Sequence, residues 1–190
     1  MPIGQAKFGL LAGVVDPGKL ELIETKTYSS AVSFVDFTSI SESTYNVHFM
    51  TINNLQTPSS VTHNNYFRLY ESGVLETASV YQYAYQYGNV NGSFGESRST
   101  AQNRIYTLMN LGNATNETAN GYSYFYNLID SSKYSFSTFQ SMTINATPNG
   151  NMNFGSGVLP QASSVTGINV VMQSGNITSG TISLYGIAES

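Results

Sequence analysis

The chain has 190 residues, a formal net charge of -4, and charged side chains at only 9% of its positions. The absence of cysteine excludes thiolate catalysis, thiolate metal ligation and disulfide staples, and the dispersed lysines and arginines argue against a nucleic-acid partner. One domain of this length buries about 70% of the surface its unfolded chain exposes, so a core needs no crosslink, while a surface made mainly of neutral hydrogen-bonding groups suits a protein that works in an assembly.

Residues 1–19 contain Pro2, Pro17, Gly4, Gly9, Gly13 and Gly18, a density of breakers that opposes an independent helix or strand. The same segment keeps Ile3, Phe8, Leu10, Leu11, Val14 and Val15, which need a partner surface, so it is expected to be an extended docking segment. Its apolar run, Phe8 to Val15, falls far short of the roughly 20 residues that span a bilayer. With Lys7 alone before it, the run is also a poor secretory signal, and no membrane insertion is expected.

Residues 20–190 read as a single all-β domain. Leu20 to Tyr28, Ala31 to Thr38 and Thr44 to Ile52 form the first strands, the third alternating Tyr45, Val47 and Phe49 with Asn46, His48 and Met50. Tyr66 to Tyr70 and Val74 to Tyr87 flank Glu71-Ser72-Gly73, a tight hairpin connection. Asn89 to Thr100 is expected to be the main loop, because Gly88, Gly92 and Gly95 punctuate it and Asn91-Gly92 is turn-prone. Gln102 to Leu111 follows as a strand, Gly112 to Gly121 as a polar connection, Tyr122 to Ile129 and Tyr134 to Thr147 as strands, and Pro148 to Asn151 as a turn. Met152 to Ser164 is read as irregular, then Gly167 to Gln173 and Thr181 to Ile187 as the last strands. About eight to ten strands without a helical period predict an antiparallel β-sandwich, specifically a jelly-roll-like one.

Chemistry finds little support in the residue inventory. His48 and His63 are the only imidazoles, both in settings where a histidine usually serves structure, and no catalytic residue, metal site or cofactor is expected. Eleven acids, among them Asp16, Glu21, Glu24, Asp36, Glu42, Glu71, Glu76, Glu96, Glu117 and Asp130, leave open that any two face each other to cleave a polysaccharide, but isolated surface carboxylates are the simpler reading. Several Asn-x-Ser/Thr triplets follow from composition alone. Tyr81, Tyr83, Tyr85 and Tyr87 share one face of a regular strand and are the best binding candidate. They serve either as a receptor or subunit contact, or as one strand face packed on the core.

The glycine-rich start Met1-Pro2-Ile3-Gly4-Gln5-Ala6-Lys7-Phe8-Gly9-Leu10-Leu11, the strand Leu20-Glu21-Leu22-Ile23, and the stretch Gly175 to Ile187 with its Gly-Thr-hydrophobic-x-Leu-Tyr-Gly-Ile ending resemble small virion structural proteins of tailed bacteriophages. The resemblance covers both ends and leaves the middle divergent. It implies a non-enzymatic β-sandwich displayed on the virion, commonly trimeric, whose Ile3, Phe8, Leu10 and Leu11 insert into another virion protein or a neighbouring subunit. Tail-fibre or receptor-binding work is the leading expectation, with the 89–100 and 112–121 segments meeting a host glycan or protein. A capsid or tail decoration protein without a receptor site is the alternative.

Overall fold

A computed structural model describes residues 19–58 and 63–188, and its side-chain description leaves out Met109. Ile3, Phe8, Leu10 and Leu11, the expected docking residues, lie outside the described residues. The fold is all-β and antiparallel, with strands β1 (Leu20–Tyr28), β2 (Phe34–Phe37), β3 (Val47–Gln56), β4 (His63–Glu71), β5 (Val74–Leu75), β6 (Tyr81–Asn89) and β7 (Phe94–Gln102). Then come β8 (Ile105–Leu111), β9 (Ala119–Tyr126), β10 (Ser135–Ile144), β11 (Gly150–Leu159), β12 (Val165–Met172) and β13 (Ser179–Ile187).

Two sheets pack face to face. The larger runs β1-β13-β3-β9-β10-β11-β6-β7; the smaller runs β2-β12-β4-β5, with β8 also paired to β4. Within these, β1-β13-β3-β9 lies opposite β2-β12-β4-β8, and successive strands of that set change sheet at every step except β4 to β8, which pair within the smaller sheet, the connectivity of a jelly roll. Two inserted hairpins, β6–β7 and β10–β11, prolong the larger sheet beyond β9.

Alternation places Met50, Ile52, Phe125, Phe139, Ile182 and Leu184 of the larger sheet against Val35, Phe37, Phe67, Leu69, Ile168 and Val170 of the smaller one. Phe67 and Phe125 meet across the layer at 5.2 Å between ring centroids. Under the inserted hairpins the inner face turns polar: Thr107 Oγ1 donates to Asn65 Oδ1 at 3.1 Å and Ser141 Oγ donates to the Thr107 carbonyl at 2.9 Å. These bonds tie β4, β8 and β10 together in a buried setting where each missing partner would be costly.

The structure departs from the sequence reading at four places. Val74 to Tyr87 is two strands, because after the hairpin at Ser72 (φ 47) and Gly73 (φ 86) the chain leaves β5 and crosses to the other sheet through residues 76–80. Most of Asn89 to Thr100 is β7 rather than loop; only 90–93 turns, with the Asn89 amide donating to the Ser93 carbonyl at 2.8 Å. An edge strand buries neither face fully, so β7 carries no apolar alternation to reveal it. Met152 to Ser164 contains most of β11, whose Gly155 and Gly157 stand where side chains would otherwise mark the pattern. The turn expected at Pro148 to Asn151 ends one residue into the chain's return, since β11 begins at Gly150.

Candidate functional site

Register makes the outer face of the larger sheet a grid of cross-strand rows. One row reads Leu22, Tyr185, Phe49, Tyr124, Thr138, Ser156, Ala84 and Arg98 from β1 to β7. Its neighbours carry Leu20, Ile187, Val47, Tyr126, Phe136, Val158 and Gln82 on one side, and Thr51, Tyr122, Gln140, Phe154, Gln86 and Glu96 on the other. The face is therefore aromatic in its β13-β3-β9 half and mixed in its inserted half.

The aromatic half is continuous. Phe49 lies 4.8 Å from Tyr124, 5.9 Å from Tyr122 and 6.1 Å from Tyr185, and Tyr124 stacks on Tyr126 at 6.3 Å. In the inserted half, Thr138, Ser156 and Ala84 are adjacent short side chains between Phe136 and Val158 on one side and Gln140 and Phe154 on the other. The low floor opens a groove of about 710 Å³, with Arg98 and Thr100 at its β7 rim. Further depressions of about 250, 460 and 430 Å³ continue it past Gln86 and Phe154 to Met152 and on to Tyr122 and Phe49. Phe94 (82% exposed), Phe154 (50%) and Met142 (55%) stand free along this trough, an apolar surface of the sort that marks an interaction site.

Polar groups between the rings are uncharged apart from one pair. Arg98 Nη1 lies 2.5 Å from Glu96 Oε1, but both side chains are well exposed, so the pair adds little to stability. Tyr122 Oη donates to Gln140 Oε1 at 2.7 Å, which leaves the Gln140 amide nitrogen directed elsewhere on an exposed strand. Amides, hydroxyls and ring faces on a pre-formed sheet can recognise a hydroxyl-rich ligand without any catalytic group.

The four-tyrosine ladder does not form such a surface as a whole, although Tyr83 borders the groove and Tyr87 the depression at Met152. Tyr81 is fully buried and Tyr85 is 7% exposed, so both are core residues and cannot meet a partner; Tyr83 and Tyr87 are half-buried and packed against that core. The period-two reading was correct, but it selects the inner face of β6, with Gln82, Ala84 and Gln86 outward. Tyr122, Tyr124 and Tyr126 of β9 show the same spacing on the outer face, and the signal that separates the two strands is what alternates with them. Ser123 and Phe125 are buried between the β9 tyrosines, whereas the residues between the β6 tyrosines are Gln, Ala and Gln.

Both histidines serve structure. His48 Nε2 bonds the Ile40 carbonyl at 2.7 Å and burial holds the imidazole below its ordinary pKa; His63 Nδ1 bonds Ser174 Oγ at 2.8 Å. Among the described residues no cluster of three His, Cys, Asp or Glu side chains is placed to hold a metal ion.

Among the described residues one pair of carboxyls does meet, outside the residues that line the trough. Glu71 and Glu76, on the β4–β5 hairpin and just beyond it, hydrogen-bond to each other, and Ser163 Oγ donates to Glu71. The Gln161 amide nitrogen reaches Glu71 Oε1 at 3.0 Å and Glu76 Oε2 at 3.2 Å. Such contact leaves no room for a glycosidic bond, whose flanking carboxyls stand about 5 Å apart or more. Burial, reinforced by the bond to Glu76, raises the pKa of Glu71; the Ala78 backbone N–H, donating at 2.6 Å, holds that of Glu76 down.

A raised carboxyl pKa contributes stability below the unfolded value, which is lost as pH rises through the folded one. Glu71→Gln removes that loss, so its melting temperature should gain on the parent's as pH is raised from 4 to 7. A difference that stays constant with pH would contradict the raised pKa of Glu71.

Comparison with known proteins adds little. No protein-family model matches the chain, and no curated protein matches it. Among solved structures, the CBM2 module of the evolved Dit of Lactobacillus casei BL23 phage J-1 aligns over 92% of this chain and 81% of its own, at 12% identity and a TM-score of 0.26. At that score the likeness supports neither a common fold nor a common function.

Proposed function

We propose that this chain is a structural component of a tailed-phage virion and acts as a receptor-binding module of the tail, attaching through the outer face of the larger sheet. The observation that carries the binding role is the trough floored by Thr138, Ser156 and Ala84, with exposed aromatic, amide and hydroxyl groups around it. The resemblance of the two chain ends supplies the virion setting. Its terminal motif, Gly180 to Ile187, is central to the fold: β13 pairs with β1 on one side and β3 on the other. Residues 1–19 serve as the virion anchor in this proposal, through Ile3, Phe8, Leu10 and Leu11, and the module works as a trimer whose weak contacts multiply.

A host-surface glycan is the ligand class that fits the trough, because rings stack on sugar faces while amides and hydroxyls pair with sugar hydroxyls. Ser156→Trp fills the groove from an exposed strand position where an aromatic residue is tolerated. The variant should lose binding of the labelled protein to host cells while its stability changes by no more than about 0.5 kcal/mol. Undiminished cell binding with the groove blocked would remove the trough from the attachment site.

A different observation favours a decoration protein. Leu20 and Leu22 are 54% and 59% exposed on edge strand β1, continuous with the Phe49–Tyr185 rings, and such an apolar margin suits a lattice of neighbouring proteins. Copy number and position on the particle separate the two: a decoration protein is abundant and lattice-bound, a receptor-binding module scarce and distal.

A further inference from the structure

The outer face of the smaller sheet carries a second arrangement, built from residues that do not line the trough. Lys19, Lys26, Arg98 and Lys133 each pair with a carboxylate within 3.2 Å. Arg68 and Arg104 have no such partner among the described residues, in a chain whose net charge is negative. They converge instead on one ring: the guanidinium carbons of Arg68 and Arg104 lie 5.2 and 4.6 Å from the centroid of Tyr66, and Arg104 is also 5.4 Å from that of Tyr106.

Local structure fixes this convergence. Arg68 and Tyr66 share the outward face of β4, while Arg104 sits in the short turn between β7 and β8. Arg68 Nε donates to the Asn103 carbonyl at 3.0 Å, which ties that turn to β4 and leaves the terminal nitrogens of Arg68 without an acceptor among the described residues. Arg104 Nε and Asn103 Oδ1 are both buried without a partner. The carboxylate in the same cross-strand row, Asp36, is separated from Arg68 by Asn169 and is engaged elsewhere: Asn169 Nδ2 donates to it at 2.6 Å and the Tyr70 hydroxyl bonds it too.

Two like charges held beside one buried ring repel each other, and stacking on tyrosine offsets only part of that. An anion relieves the repulsion. Guanidinium groups match phosphate and carboxylate geometry, and their weak hydration makes them the usual choice for such recognition.

We infer that Arg68 and Arg104, braced by Tyr66 and the Asn103 turn, form a binding site for an anionic group, a phosphate or a carboxylate. Neither arginine lines the trough, although Tyr106 packs on Tyr83 at its edge, 5.3 Å between ring centroids.

The test uses the full-length 15N-labelled protein and the side-chain Nε–Hε signals of its arginines, titrated at constant ionic strength with inorganic phosphate and, separately, with glucuronate. Saturable shifts are expected at Arg68 and Arg104 and none at Arg98, whose guanidinium is already paired. Arg104→Gln should weaken the response at Arg68 about tenfold, as loss of a charge-assisted hydrogen bond does. A response to phosphate alone identifies a phosphate-bearing ligand as the source, and one to glucuronate alone a carboxylate-bearing one. No saturable shift with either anion, or an equal shift at Arg98, would overturn the assignment.

Discussion

Replacing Tyr81 with alanine is expected to destabilise the protein by about 3–5 kcal/mol, the cost typical of deleting a large buried ring. Tyr81 has no exposed surface, and its hydroxyl joins the two sheets: Oη accepts from the Leu69 backbone amide at 2.9 Å and donates to the Glu76 carbonyl at 3.2 Å. Its burial also raises the phenol pKa far above the ordinary value, so the group stays neutral and able to donate at any pH where the fold persists. Tyr81→Phe separates the two contributions. It keeps the ring but leaves the Leu69 N–H buried without its acceptor, which costs about 1–3 kcal/mol. Urea unfolding of both variants checks this, and a phenylalanine variant as stable as the parent would show that the hydroxyl is not structural.

The second large effect is expected at Gly157. A Cβ built there would stand 2.5 Å from Ile105 Cγ2 and 2.7 Å from its Cγ1, because β11 of the inserted hairpin passes directly over β8. Gly157→Ala should therefore cost about 1–3 kcal/mol through overpacking. Ile105→Ala alone leaves a cavity worth about 2–5 kcal/mol. Combined, the two changes should cost less than their sum, by about 1 kcal/mol or more, since the new methyl occupies part of the vacated space. Strict additivity in the double-mutant cycle would mean that the clash is relieved by backbone movement instead.

Gly157 also illustrates what the sequence conceals. A strand announces itself through alternating apolar side chains, and β11 gives up two of its positions, Gly155 and Gly157, to close approach by Tyr85 and Ile105. β7 is hidden for the opposite reason: Glu96, Arg98 and Thr100 face solvent, so no burial shapes its residue choice. By contrast β12 and β13 were legible to within two residues, because each packs an apolar face on the core, and β1 to the residue, although only Ile23 and Tyr28 of it pack against that core. The tyrosine spacing in β6 was equally legible as a strand face, yet periodicity does not say which layer a face meets. The Arg68–Arg104 site was not legible at all, since 36 positions separate its two charges and only the β4–β8 pairing unites them.

The placement of β13 has a consequence for how the protein comes into being. It is the wedge between β1 and β3, so during synthesis the first strand has no neighbour in its sheet until residues 179–187 have left the ribosome. The β6–β7 and β10–β11 hairpins close locally and can form at once, whereas the interleaved frame waits for contacts between the two ends of the domain, a topology that folds slowly. Until then the apolar side chains of β1 and β3 lie open to premature pairing with other nascent copies. A low-charge chain does little to discourage such encounters, and chaperone dependence during expression is the natural companion of this fold.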